Sequence, residues 1–258
     1  MKHGVSFALV AWMLLVVGLM TFADTVTVTF LGHSCFTIQS GEGPIIMIDP
    51  YASYVPYPGL PQPADIVLMT HAHVDHCPLS YGETDRYSGD PIEVIPWDNQ
   101  GRIREGNWRI TDDLLVRFIE ASHVTTTGGG QGTVSLFSFE VGGIRFAHLG
   151  DLGRILTPSQ IAALGDVDVL FIPVGGAFTI DAAEALTVIA QLPSVKIVFP
   201  MHYYVEDITP WLELAPLSDF TLVADVLHTV VNQEASQVVI DSDGLPETVE
   251  IWVLDYLE

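Results

Sequence analysis

Between positions 71 and 76 the chain reads His71-Ala72-His73-Val74-Asp75-His76, three imidazoles and a carboxylate in a row of six. Buried alone, such groups are costly, because ring nitrogens and ionised oxygens give up their hydrogen bonds to water. A divalent cation satisfies them together. Nitrogen and oxygen ligands of this kind suit zinc, with manganese the alternative. The competing reading of these six residues is a solvated polar loop. His71 and His73 are separated by one residue, so an extended backbone places both rings on one side. A turn after Val74 then brings Asp75 and His76 to a neighbouring position. His123, Asp151 and His202 follow the strand-like runs Phe118-Ile119-Glu120-Ala121-Ser122, Ala147-His148-Leu149-Gly150 and Ile197-Val198-Phe199-Pro200-Met201. Alone, each is an ordinary packed or hydrogen-bonded residue; together they lie where open α/β folds build sites, at strand ends.

The elements that position them follow from the apolar pattern and the turn residues. Short β segments are expected at Val26–Leu31, Cys35–Gln39, Ile45–Ile48, Ile66–Met69, Ile92–Ile95, Leu114–Glu120 and Val134–Val141. Others are expected at Ile144–Leu149, Val167–Pro173, Lys196–Met201, Gln237–Ile240 and Val249–Leu254, separated by turn signals such as Ser40-Gly41-Glu42-Gly43-Pro44 and Asp49-Pro50. Three helices are expected. One spans Pro158–Leu164 behind an N-capping Thr157, and a second spans Asp181–Leu192, opened by Asp181 with Glu184 as a capping box. The third spans Ser218–Val231, where Leu222, Val223, Val226, Leu227 and Val230 make a helical stripe. A run such as Val169-Leu170-Phe171-Ile172 reads as a strand buried on both faces. The fold class is therefore α/β, with sheets covered by helices.

The His71-x-His73-x-Asp75-His76 motif resembles, residue for residue, that of the metallo-β-lactamase superfamily, and the resemblance runs from about Val26 to Tyr203. Leu31-Gly32-His33-Ser34, His148-Leu149-Gly150-Asp151-Leu152-Gly153, Pro173-Val174-Gly175-Gly176 and Pro200-Met201-His202-Tyr203 are similar to a branch containing ascorbate-6-phosphate lactonase and, more distantly, N-acyl-phosphatidylethanolamine phospholipase D. The resemblance implies an αββα sandwich with two divalent metal ions at one edge. His71, His73 and His123 would hold the first, Asp75, His76 and His202 the second, and Asp151 would bridge them. Asp75 and Asp151 are then the catalytic carboxylates. A hydroxide between the ions would cleave a small ester, lactone, amide or phosphodiester. His33, His148 and Tyr203 are left for a supporting shell or substrate contact. In place of the acid-containing loop common in relatives, His123 is followed by Val124-Thr125-Thr126-Thr127-Gly128-Gly129-Gly130, and Pro78 to Pro91 lacks a helical stripe. An aspartate at 151 is more typical of the superfamily's other hydrolases than of true β-lactamases, so little β-lactam turnover is expected. The alternative function is a metal-binding or interaction protein that keeps the fold without turnover.

With 258 residues, 49% hydrophobic and 16% charged, the chain suits one well-filled domain and not disorder. Nine basic residues against 32 acidic ones give a net charge of -23, which argues against nucleic acid and for a small-molecule substrate. Lys2, the apolar run Val5 to Met20 and the small residues Thr21 and Ala23 read as a signal peptide over residues 1–23. The mature domain is then 24–258, exported to the periplasm or beyond. The rival reading is an uncleaved anchor over residues 5–23, the one route by which a membrane becomes a partner. Cys35 and Cys77 could pair in an exported chain, though packing is the expected role of each. The oligomeric state has no sequence signal.

Overall fold

The computed structural model describes residues 24–210 and 212–258; the expected signal peptide or anchor lies outside the described residues. In chain order the strands are β1 (Thr25–Gly32), β2 (Cys35–Ser40), β3 (Ile46–Ile48), β4 (Gln62–Pro63), β5 (Ile66–Leu68), β6 (Tyr87–Ser88), β7 (Ile92–Val94) and β8 (Gly106–Arg109). They continue as β9 (Leu115–Ser122), β10 (Thr133–Val141), β11 (Ile144–His148), β12 (Val169–Pro173), β13 (Ile197–Met201), β14 (Thr229–Asn232), β15 (Gln237–Asp241) and β16 (Glu250–Val253). The helices are α1 (Pro158–Leu164), α2 (Ala182–Gln191) and α3 (Leu217–Ala224).

Two sheets face each other. One runs β15-β1-β2-β3-β5-β7, the other β14-β16-β13-β12-β11-β10-β9-β8, and β4 pairs separately with β6. Phe36 of the first sheet lies against Phe171 and Phe199 of the second, at centroid distances of 4.4 and 6.1 Å. All five residues of β12 and of β13 are buried, as expected of strands covered on both faces. The shared core reaches from Val26 to Leu254. Helix α1 packs on β9, and α3 packs on α2 and β14. The outer side of the first sheet is covered differently: Leu31, Met47, Val67 and Met69 pack with Tyr51 and with Tyr57 and Leu60 of the proline-rich loop at residues 55–63. The stretch from Pro78 to Pro91, which lacked a helical stripe, holds a 3₁₀ turn, Pro78–Tyr81, and the short strand β6 in place of an α-helix. Cys35 and Cys77 are buried free thiols in this second cluster.

Helices α1 and α2 open on the expected caps. Thr157 and Gln160, and Asp181 and Glu184, complete capping boxes at the two N-termini. The third helix differs from expectation. It ends at Ala224, and Thr229–Asn232, including Val230, forms edge strand β14 paired with β16. Phe220 and Ala224, four residues apart, are the buried side of α3, whereas Leu222 on the helix and Val226 and Leu227 in the turn after it are 72%, 79% and 67% exposed. An apolar stripe in sequence names a face without saying which way it points, and here it points outward. Strand β8 and the β4–β6 pair are further elements the apolar pattern does not announce, being short and mostly exposed.

Candidate metal centre

Strands β1, β3 and β5 run in one direction within the first sheet, as do β9, β11, β12 and β13 within the second. Their C-terminal ends release His33, Asp49, His71, His123, Asp151 and His202 at one edge of the sandwich. Three of these, His33, Asp49 and His202, have left-handed backbones with φ of 55°, 49° and 54°. For residues with a Cβ that conformation costs on the order of 1 kcal/mol, and such strain gathers at functional sites. The His202 backbone N–H donates to the His33 carbonyl at 2.9 Å, joining the two sheets directly at this edge. Gly150 holds φ +48°, and a Cβ there would lie 2.7 Å from Val134 and 2.9 Å from Thr70, so glycine lets Asp151 approach the His71 strand end.

The donors fall into two groups, in each of which one atom per residue lies within 4.8 Å of the others: His71, His73, His123 and Asp151; and His33, Asp75, His76 and His202. Asp151 faces both. Its Oδ2 is 3.6 Å from His71 Nε2 and 3.5 Å from His123 Nε2, while its Oδ1 is 3.0 Å from His76 Nε2 and 3.4 Å from His202 Nε2. His71 Nε2, His76 Nε2 and Asp151 Oδ1 are buried without a hydrogen-bond partner, although the last two are 3.0 Å apart. Buried polar atoms seldom stay unpaired, and these converge from both groups toward the same carboxylate, so the residues present fit divalent cations.

The electrostatics agree. Burial holds His71 and His73 below the ordinary imidazole value and brings His202 down to about 3, leaving neutral rings with a lone pair to donate. Burial raises the Asp151 carboxyl, but His202 and His76 outweigh it and keep the group well below the usual carboxylate range. Burial also lowers His76, but the carboxylates of Asp151, Asp75 and Asp49 outweigh it and hold the ring well above the ordinary imidazole value.

Sequence reasoning missed Asp49. It is fully buried, and His76 Nδ1 donates to its Oδ2 at 2.8 Å. The same carboxylate accepts from Thr70 N and Thr70 Oγ1, each at 2.7 Å. Because the Thr70 hydroxyl gives its proton to Asp49, it accepts from His71 Nδ1 at 3.0 Å. One aspartate thus fixes the tautomer of a histidine in each donor group, turning both Nε2 atoms toward the centre. The signal in sequence was Asp49-Pro50 at the end of an apolar strand, which reads equally well as a turn.

Of the remaining expected residues, His33 Nε2 donates to Asp75 Oδ2 at 3.1 Å and so belongs beside the second group. His148 Nε2 donates to the Ser34 carbonyl at 3.0 Å and its Nδ1 accepts from Gly150 N at 3.2 Å, which ties the loop after β1 to the turn that carries Asp151. Tyr203 is buried in the core against Phe30 and does not line the cavity over the centre. His123, whose loop departs from the family pattern, is brought in all the same, its Nε2 3.2 Å from His73 Nδ1. Arg154 donates to the carbonyls of Val124 and Thr125 and steadies that loop. Above the donors lies a cavity of about 570 Å³ bounded by Gly128, Gly129, Gly130, Gln131, Phe178 and Leu212.

Residues 27–202 match the beta-lactamase superfamily domain. A metal-dependent hydrolase of Pyrococcus horikoshii is 31% identical over 228 residues, 80% of this chain and 96% of the relative. One of Methanoculleus marisnigri is 31% identical over 189 residues, 68% of this chain and 80% of the relative. Both are named as members of the group UPF0173. Among solved structures, a candidate zinc-dependent hydrolase of the metallo-beta-lactamase superfamily from Thermotoga maritima superposes with a TM-score of 0.66 at 28% identity, covering 90% of this chain and all of that one. These matches carry the superfamily and not the narrower lactonase-like branch. With more than half of the chain matching the domain and with relatives of this closeness, the chain belongs to the metallo-β-lactamase superfamily and has its fold.

Proposed function

We propose that the protein is a two-metal hydrolase of a small ester, lactone, amide or phosphodiester. The observation that carries this reading is the position of Asp151, whose two oxygens face different donor groups. In this reading His71, His73 and His123 would hold one ion, Asp75, His76 and His202 would hold the other, and Asp151 would serve both. Zinc suits the nitrogen-rich donor set, and manganese is the alternative. Bound there, the ions supply a water-derived nucleophile at neutral pH and polarise the scissile carbonyl or phosphoryl group. The chain's own part is to orient the donors through Asp49 and Thr70, to hold Asp75 through His33, and to seat the substrate below Phe178. β-Lactams are not among its expected substrates.

The test is to load the purified protein with zinc or manganese, measure metal per chain, and assay a panel of esters, lactones, amides and phosphodiesters with and without a chelator. About two metals per chain with chelator-sensitive turnover supports the reading. Two metals and no turnover on any member of the panel would favour a binding protein on the same fold.

The reading extends to location. Residues 1–23 serve as a signal peptide, the domain begins at Asp24, and the protein works outside the cytoplasm. Mass spectrometry of the natural protein checks this: a mature N-terminus at Asp24 supports export with cleavage, and an intact Met1 in the membrane fraction supports the anchor.

A further inference from the structure

The cavity over the centre has a neighbour. A second hollow of about 240 Å³ is walled by Trp97, Gln100, Ile103 and Thr133, and it meets the larger one at His73 and Gln131, which line both. A donor of the centre and an exposed amide therefore form the ridge between two separate recesses. Phe178, 37% exposed, and Leu212 are the large apolar residues lining the larger recess. Its inner wall is Gly128-Gly129-Gly130, where no side chain intrudes. A Cβ on Gly130 would lie 2.0 Å from the His123 carbonyl and one on Gly129 1.9 Å from the Ala177 carbonyl, so these two positions stay bare. Among the described residues lining either recess there is no lysine or arginine.

We infer that the substrate is an uncharged acyl compound, a carboxylic ester, lactone or amide, with its scissile bond over the His73–Gln131 ridge, an apolar arm under Phe178 and Leu212, and a smaller arm against Trp97 and Ile103. This rests on the hydrolase reading and narrows it. An anionic arm in the larger recess would meet Asp75 and Asp151, and one in the smaller recess would find no lysine or arginine to pair with, in a chain whose net charge is already -23. An apolar arm would leave water for Phe178 and Leu212, a favourable transfer that grows with each methylene buried. In the reaction the bond from the acyl carbon to oxygen or nitrogen breaks, the oxygen of water joins that carbon, and one water proton passes to the departing alcohol or amine. The other is released as the acid ionises.

Two readouts on the zinc-loaded full chain test it. In the first, acetohydroxamic and octanohydroxamic acids, which share one metal-binding head, compete for the centre in calorimetry. Octanohydroxamate is expected to bind at least about tenfold tighter, and Phe178→Ala is expected to shrink that ratio severalfold. Equal affinity of the two, or a ratio untouched by both Phe178→Ala and Leu212→Ala, would overturn the inference whether or not any substrate is turned over. In the second, p-nitrophenyl octanoate is expected to exceed bis(p-nitrophenyl) phosphate in kcat/KM by at least about a hundredfold. The reverse order would overturn the inference while leaving a two-metal hydrolase intact.

Discussion

Asp49 accepts a hydrogen bond from His76 Nδ1 at 2.8 Å, and through the Thr70 hydroxyl it also sets the ring of His71. A single buried carboxylate thus supports one donor of each group. Asp49→Ala is expected to weaken both metal sites by about 10- to 100-fold, the usual cost of losing an outer partner. Thr70→Val, which removes the hydroxyl between Asp49 and His71 but leaves the Asp49–His76 hydrogen bond in place, is expected to weaken mainly the site of His71. Competition with a chromophoric chelator measures both constants. Equal losses at both sites in Thr70→Val, or none in Asp49→Ala, would contradict this arrangement.

Replacing His71 or His73 by alanine should remove one ion and abolish turnover while leaving the sandwich folded. The core reaches from Val26 to Leu254 and does not depend on the ion as a small zinc finger does. Circular dichroism and thermal melting of His71→Ala check this. Complete unfolding at room temperature would show that the metal, and not the two sheets, holds the edge together.

The motif from His71 to His76 was legible because ligand chemistry and spacing are local, and the strand ends carrying His123, Asp151 and His202 were legible because each follows an apolar run bounded by turns. What sequence could not reveal depends on contacts between distant segments. Asp49 reaches His76 across 27 positions, and His33 reaches Asp75 across 42. Tyr203 sits next to His202 yet turns into the core, because the left-handed backbone at His202 redirects the chain. The third helix was read too long because Val226, Leu227 and Val230 keep the helical spacing even where the chain has become a turn and an edge strand.

Away from the centre, Asp168 accepts from Arg145 N, Nε and Nη2 at 2.9, 2.7 and 2.5 Å, tying β11 to the start of β12. Burial raises its carboxyl, but Arg145 outweighs burial and the net shift is downward. A carboxyl lowered on folding stabilises the protein above its unfolded value near 4, and the contribution fades as pH falls through the folded value. Asp168→Asn is therefore expected to lose about 1–3 kcal/mol at pH 7 and much less at pH 2.5. Urea unfolding of both proteins at the two pH values measures the difference. A penalty that stays constant with pH would assign the effect to shape and not to charge.

The central claim is that Asp151 holds two ions at once, and the most direct measurement is metal content of Asp151→Asn beside Asp112→Asn. Asp112 lies exposed in the turn between β8 and β9 and serves as the control. The amide keeps the size of the carboxylate but removes its charge and leaves one weak oxygen donor. After dialysis against excess zinc and removal of loose metal, Asp112→Asn should retain about two ions per chain with unchanged turnover. Asp151→Asn should fall to about one or fewer, with a rate loss of at least about a hundredfold on whichever substrate the panel identifies. Two tightly held ions and near-normal turnover in Asp151→Asn would contradict the bridge and favour a single-metal mechanism at His71, His73 and His123.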